Sequence, residues 1–458
     1  MGDVQVIWEC FQSLHGRYIR YGLTQTPVHR IYSEASLGKA CLREMNIQPR
    51  QAQQPDVPPE LIGIILSTYY GGRSEVHVRR TISRVLYCDF LSMYPTVCTL
   101  MDLWSFGIAE RLDWTDATAE TRAFLERVTV ADLRAPDTWR QLTTLVQVAP
   151  ADDLFPVRST YGDGAYTIGL NHLTSEHPLW FTLADCIASK LLTGRAPTIL
   201  QARRFAPIGC QADLKPLDIL GNPAYRVDPV TDDFYRRLID LRSAVKRDLK
   251  AAEAAGKQDH ADQLDAEQLA LKIMANATSY GIFVELNVTE FAKPQAVTCY
   301  GGDDDAFAAR TPNIEEPGRY FHPLLGTLIT GAARLMLALA ERLASDAGLT
   351  WAFCDTDSMA LAKSEGMAED EFRARADHVR EWFTPLNPYV TKGPLFKIED
   401  ANYRLRDGKI GGDIEPLLCF AVSAKRYVLF NRDNRGWPML RKASAHGLGH
   451  LRPPYAVD

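Results

Sequence analysis

A chain of 458 residues, 46% hydrophobic and 24% charged, is long enough to bury a sizeable core in two or three domains. Its formal charge of −6 excludes nucleic-acid binding through global charge, so any such surface is local and basic against an acidic remainder. Nine cysteines without a Cys-x-x-Cys pair indicate neither a zinc ribbon nor a disulfide framework, and the chain shows no basic leader and no apolar run of bilayer length, so a cytoplasmic protein without membrane contact is expected.

The first strong helical signal is SEASLGKACLREM, opened by Ser33 or Ser36 as N-cap. Residues 48–60, rich in Gln and Pro, read as a linker. Two β-rich runs, LIGIILSTYY and ISRVLYCDF, then flank a Gly-Gly pair and a basic patch of Arg73, Arg79, Arg80 and Arg84. From 105 to 222 short helical and strand-like pieces alternate, with Trp104, Trp114, Trp139 and Trp180 as packing residues and no functional signal. Apolar residues at spacings of three and four predict two long helices from Phe234 to Gly281, broken near Gly256 and folded as an antiparallel hairpin. A small-residue-rich helix over 323–344 follows, then LTWAFCDTDSMALA as two β arms around a tight tip, a polar helix over 369–383, and strands in KIGGDIEPLLCFAVSAKRYVLF.

Chemistry concentrates at three places. Asp89 ends an apolar strand where a turn and helix begin, a good metal-ligand position and equally a good helix cap. Asp355 and Asp357, two apart, would share one side of a strand, and their hard oxygens without His or Cys favour Mg²⁺ over Zn²⁺. Taken alone, that tip serves as well as a solvated turn. Arg242 and Lys246 share one helix face, as do Lys272 and Asn276, a cationic surface suited to a polyanion or simply to water.

In chain order the sequence carries DFLSMYPT from Asp89, KIMANATSYG from Lys272 and CDTDS from Cys354. These resemble motifs A, B and C of family B DNA polymerases. Tyr69, Tyr70, Gly71 and Gly72 are similar to that family's YxGG element, and Ala424, Lys425, Arg426 and Tyr427 to its KKRY element.

The resemblance implies an α+β fold: a polymerase palm with an antiparallel β-sheet backed by helices, plus a helical-hairpin fingers domain. The implied division is 1–60 as N-terminal segment and linker, 61–228 as first palm part with insertion, 229–285 as fingers, 286–446 as second palm part, and 447–458, after His446 and including His450, as a truncated connection to a thumb. Asp89, Asp357 and the Phe90 carbonyl would bind two Mg²⁺ ions, with Asp355 as accessory acid. The amides of Leu91, Ser92 and Met93 would meet a deoxynucleoside triphosphate, Tyr94 would exclude ribose, and Arg242, Lys246, Lys272 and Asn276 would grip phosphates. Tyr69, Gly71, Gly72, Tyr280, Lys425 and Tyr427 would contact primer-template DNA.

Two departures qualify the pattern. Tyr280 lies eight residues after Lys272 where the family has seven, an insertion that a π-bulge or an early helix end would absorb, and the KKRY element keeps only its second lysine. The residues before Tyr69 and after Tyr427 are too few for the usual exonuclease and thumb, which implies a piece of a longer chain or a split enzyme whose second protein supplies them. The competing readings are a non-catalytic polymerase-like binding subunit and a reverse transcriptase. The latter is disfavoured because its adjacent aspartates differ from Asp355, Thr356, Asp357.

Overall fold

The computed structural model describes residues 2–161, 165–302, 306–406 and 409–446. The expected thumb connection at 447–458, with His450, lies outside them.

The chain folds as a mixture of helices and antiparallel sheets. The central sheet has the strand order Ser74–Val76, Thr350–Asp355, Ser358–Ala362, Ser83–Phe90, Leu417–Ser423, Arg426–Arg432, Pro438–Ala445, and Phe396–Ile398 pairs beside the end of Ser83–Phe90. Alternation along Ser83–Phe90 explains how it is buried. Leu86, Cys88 and Phe90 enter the main core, while Val85 and Tyr87 join a smaller cluster with Phe353 and Tyr427 on the other face. Asp89 follows Val85 and Tyr87 in that alternation, so the strand presents its carboxylate on the thinly covered face.

The main core is built around the helix Pro323–Asp346, which packs against Leu183–Thr193 and the sheet. The expectation that no apolar run reaches bilayer length fails here: this helix is long and apolar enough to cross a membrane, with mean hydropathy 1.6. Its most apolar window is 94% buried inside the protein, which accounts for an apolar surface all round.

Ser33 caps the helix Glu34–Glu44 through Ser36, as expected. The run at 61–67 is helical, not a strand: Pro59–Ser67 starts with Pro at its first turn and buries Leu61, Ile64 and Ile65 at helical spacing. The β-branched composition suggested a strand, and burial of a helical stripe against the central helix overrode it. The linker at 48–60 likewise contains a short helix, Arg50–Gln53. The basic patch is divided: Arg73 is 2% exposed between Glu75 and Glu341 and Arg84 pairs with Glu369, while Arg79 and Arg80 are exposed.

Between 111 and 208 lies a second, four-stranded antiparallel sheet with a hairpin, Ala151–Tyr161 and Ala165–Thr174. Trp139 and Trp180 are buried there and Trp114 is half-buried, while Trp104 is buried against Phe234 at the foot of the helical hairpin. The helical hairpin forms as read: Phe234–Ala254 and Gln258–Ser279 turn at Gly256, each about 30 Å long at 1.5 Å per residue. Leu286–Tyr300 and Ala306–Pro317 pair only with each other, because both faces of this ribbon are largely exposed and offer no apolar side to a sheet. Among the described residues all nine cysteines are free, six of them buried.

Candidate active site

The two acids that sequence placed far apart are brought together by strand pairing. Asp89 lies opposite Ser358 on one side and Lys397 on the other, and the Phe90 amide donates to the Asp357 carbonyl at 2.9 Å. Asp355 and Asp357 do not share a strand face. Thr356 has φ of 64° and the Asp357 amide donates to the Asp355 carbonyl at 2.7 Å, so a tight turn separates them. Asp355 ends its strand beside Lys425, 3.6 Å from Nζ to Oδ1, with Ser74 Oγ at 3.4 Å.

Electrostatics sets this pair apart from ordinary surface carboxylates. Burial and then the charge of Asp357 push the Asp89 carboxyl well above the usual range; burial and then Asp355 do the same to Asp357. Asp89 Oδ1 is buried and lacks a hydrogen-bond partner. Two desolvated oxygen ligands that repel each other, one with an orphaned oxygen, suit a hard divalent cation. No group of three or more His, Cys, Asp or Glu side chains is assembled for a metal among the described residues, so the pair itself is the candidate.

A layer of aromatic and glycine residues closes one side. Tyr69 and Tyr280 share a hydroxyl–hydroxyl hydrogen bond of 2.6 Å, and the Tyr280 ring stacks on Tyr94 with centroids 4.8 Å apart. Gly71 has φ of 101°. At Gly72 a Cβ would come within 2.9 Å of the Tyr94 hydroxyl and 3.0 Å of Thr356 Cγ2, so this glycine lets the backbone lie against both Tyr94 and the Asp-Thr-Asp tip. Gly72→Ala is expected to cost about 1–3 kcal/mol in urea unfolding through overpacking; an unchanged midpoint and slope would show that the contact gives way freely.

Ser92, in the left-handed region at φ 45°, begins the helix Met93–Leu100. The amides of Ser92 and Met93 stand at its open end, but the Leu91 amide donates to the Leu395 carbonyl at 2.9 Å. That bond removes Leu91 from the expected set of phosphate donors. On the hairpin, the Gln258–Ser279 helix ends one residue before Tyr280, whose backbone is extended. An early helix end therefore accommodates the extra residue, and Lys272 and Asn276 remain exposed on one face.

Burial lowers the proton affinity of Lys246, with Arg242, Lys397, Lys272 and Lys250 adding repulsion. Arg242 is lowered by burial as well and donates to Gln268 at 3.3 Å. A shared cationic patch thus spans the hairpin and the strand beside Asp89. Tyr427, expected at a DNA surface, is 4% exposed and stacks on Phe353 at 3.8 Å.

Sequence reading passed over three residues. Lys397 stands opposite Asp89, Glu399 follows it with burial raising its carboxyl, and Lys442 donates to the Tyr87 hydroxyl at 2.7 Å while its charge opposes the upward shifts of both aspartates. The only sequence signal was a Lys and a Glu alternating in the short strand-like FKIE, which many strands share.

The class that fold and site define is a mixed helix and antiparallel-sheet protein with a paired-aspartate centre beside a cationic helical hairpin. No family model and no curated protein matches the chain. Among solved structures it is similar to Phi29 DNA polymerase complexed with single-stranded DNA (13% identity, TM-score 0.44, covering 95% of this chain and 60% of that one). It is also similar to Phi29 DNA polymerase complexed with primer-template DNA and incoming nucleotide substrates (14%, TM-score 0.42, 89% and 58%). A third is the family B DNA polymerase from the hyperthermophilic archaeon Pyrobaculum calidifontis (14%, TM-score 0.36, 94% and 36%). The likeness is a distant one of fold, and the chain spans about 60% of the length of the Phi29 structures.

Proposed function

We propose that the chain is the core of a DNA-directed DNA polymerase that adds deoxynucleotides to a primer 3′-hydroxyl. The observation that carries this reading is the junction of Asp89 and Asp357 through the Phe90–Asp357 backbone bond, with both carboxyls held up by burial and like charge. Asp89, Asp357 and the Phe90 carbonyl would hold two Mg²⁺ ions, which when bound supply activation of the hydroxyl and stabilisation of the pyrophosphate leaving group.

The protein's own groups divide the remaining work. Arg242, Lys246, Lys272 and Lys397, with Asn276, bind the triphosphate, aided by the amides of Ser92 and Met93. Tyr94, fixed between Gly72 and Tyr280, blocks a ribose 2′-hydroxyl. Tyr69, Gly71, Gly72 and Tyr280 meet the template, Lys425 meets the primer backbone once released from Asp355, and buried Tyr427 supports the strand beneath it. Primer-template DNA and deoxynucleotides are the proposed partners.

Extension of a labelled primer-template with Mg²⁺ is the direct test. Primer-template binding without incorporation, even with a complementing subunit, would instead identify a non-catalytic scaffold. Tyr94→Ala is expected to lower discrimination against ribonucleotides by about 10²-fold, the scale on which a pocket rejects an added hydroxyl. Unchanged sugar selectivity in single-nucleotide incorporation would remove Tyr94 from that role.

A further inference from the structure

A second site lies away from the aspartates. A cavity of about 440 Å³, within the range of small-molecule sites, opens between the segment 50–65, the strands Arg111–Asp116 and Thr198–Ile208, and the start of the central helix. Trp114, Phe205, Phe321 and Leu324 give it aromatic and aliphatic walls. Arg50 and His322 also line it, and both border an adjoining void of about 20 Å³.

The polar groups of these two residues are incompletely used. Arg50 donates through Nη1 to the Ala109 carbonyl at 3.1 Å and through Nη2 to the Glu110 carbonyl, yet its Nε is buried without a partner. No carboxylate pairs with it among the described residues. His322, 4% exposed, has an unpartnered Nε2 and is the N-cap of the 24-residue central helix without a side-chain cap bond. A half-buried guanidinium without a carboxylate partner among the described residues and the N-terminal end of a long helix thus meet at one apolar cavity.

We propose that this cavity binds a small aromatic monoanion, with its ring system among Trp114, Phe205 and Phe321 and its carboxylate at Arg50 and His322. The proposal does not depend on the polymerase reading.

Calorimetric titration of the full chain with 2-naphthoate and with uncharged 2-naphthalenemethanol tests it. The expected result is one saturable site, with naphthoate bound at least tenfold tighter than the alcohol. Arg50→Met should erase that preference while leaving alcohol binding in place, which reports an intact cavity. Ile62→Trp, filling the cavity from its wall, should abolish both while circular dichroism stays native. No saturable binding, equal affinity for the two probes, or affinity unchanged in folded Ile62→Trp would overturn the assignment.

Discussion

Asparagine at Asp89 or at Asp357 is expected to reduce primer extension by about 10³-fold or more, on the scale of losing a group that stabilises transition-state charge. The same substitutions are expected to leave the metal-free protein equally or more stable, because each removes one member of a buried, mutually repelling pair. Loss of activity with retained or raised melting temperature separates a functional carboxylate from a structural one. Full activity in both variants would end the two-aspartate proposal.

The pH dependence follows from the direction of the shifts. Both folded-state values lie above the ordinary 3.8, so between that value and the raised values the native state binds more protons than the unfolded chain. Stability of the metal-free protein should therefore fall as pH rises from about 4 into the neutral range, with the loss complete above the folded-state values. Asp357→Asn should flatten that slope, and Mg²⁺ at neutral pH should restore stability to the wild type but not to the double asparagine variant. Melting curves across pH, with and without Mg²⁺, measure this. Equal slopes in wild type and variant would mean that the pair does not titrate as described.

The largest stability effect is expected at Arg334. This guanidinium is 0% exposed, donates from Nε and Nη2 to the two Asp185 oxygens at 2.8 Å each, and reaches the Gly71 carbonyl with Nη1 at 2.5 Å. Asp185 in turn caps the helix Leu183–Thr193 through Thr182. Arg334→Met leaves Asp185 buried and unpaired, which costs about 3–5 kcal/mol. Asp185→Leu combined with Arg334→Met should recover much of that, because the uncompensated charge is gone. The double variant should still extend primers poorly, since Gly71 has lost its anchor beside Tyr280 and Tyr94. Additive losses in urea unfolding would argue against a coupled pair.

Periodic segments were legible because their pattern is local. The helices Phe234–Ala254 and Gln258–Ser279, the strand Ser83–Phe90 and the hairpin arms around the Asp-Thr-Asp tip each carry their spacing within one short stretch. Pro59–Ser67 was misread because a β-branched run suits either element, and only the surface against which it buries decides. Which sheet a strand joins is likewise not written in its composition: the two strands of the ribbon at 286–317 pair only with each other.

The sequence by itself determined which side chains are available for chemistry and on which local elements they ride: Asp89 at a strand end, Asp357 in a turn, and cations along one hairpin. Only the tertiary structure decided which of them meet. Strand pairing placed Lys397 beside Asp89, a single turn set Asp355 against Lys425, a backbone bond used the Leu91 amide, and burial raised the paired carboxyls. Proton affinity and hydrogen-bond availability depend on neighbours far away in the chain and on exclusion of water, which local spacing does not encode.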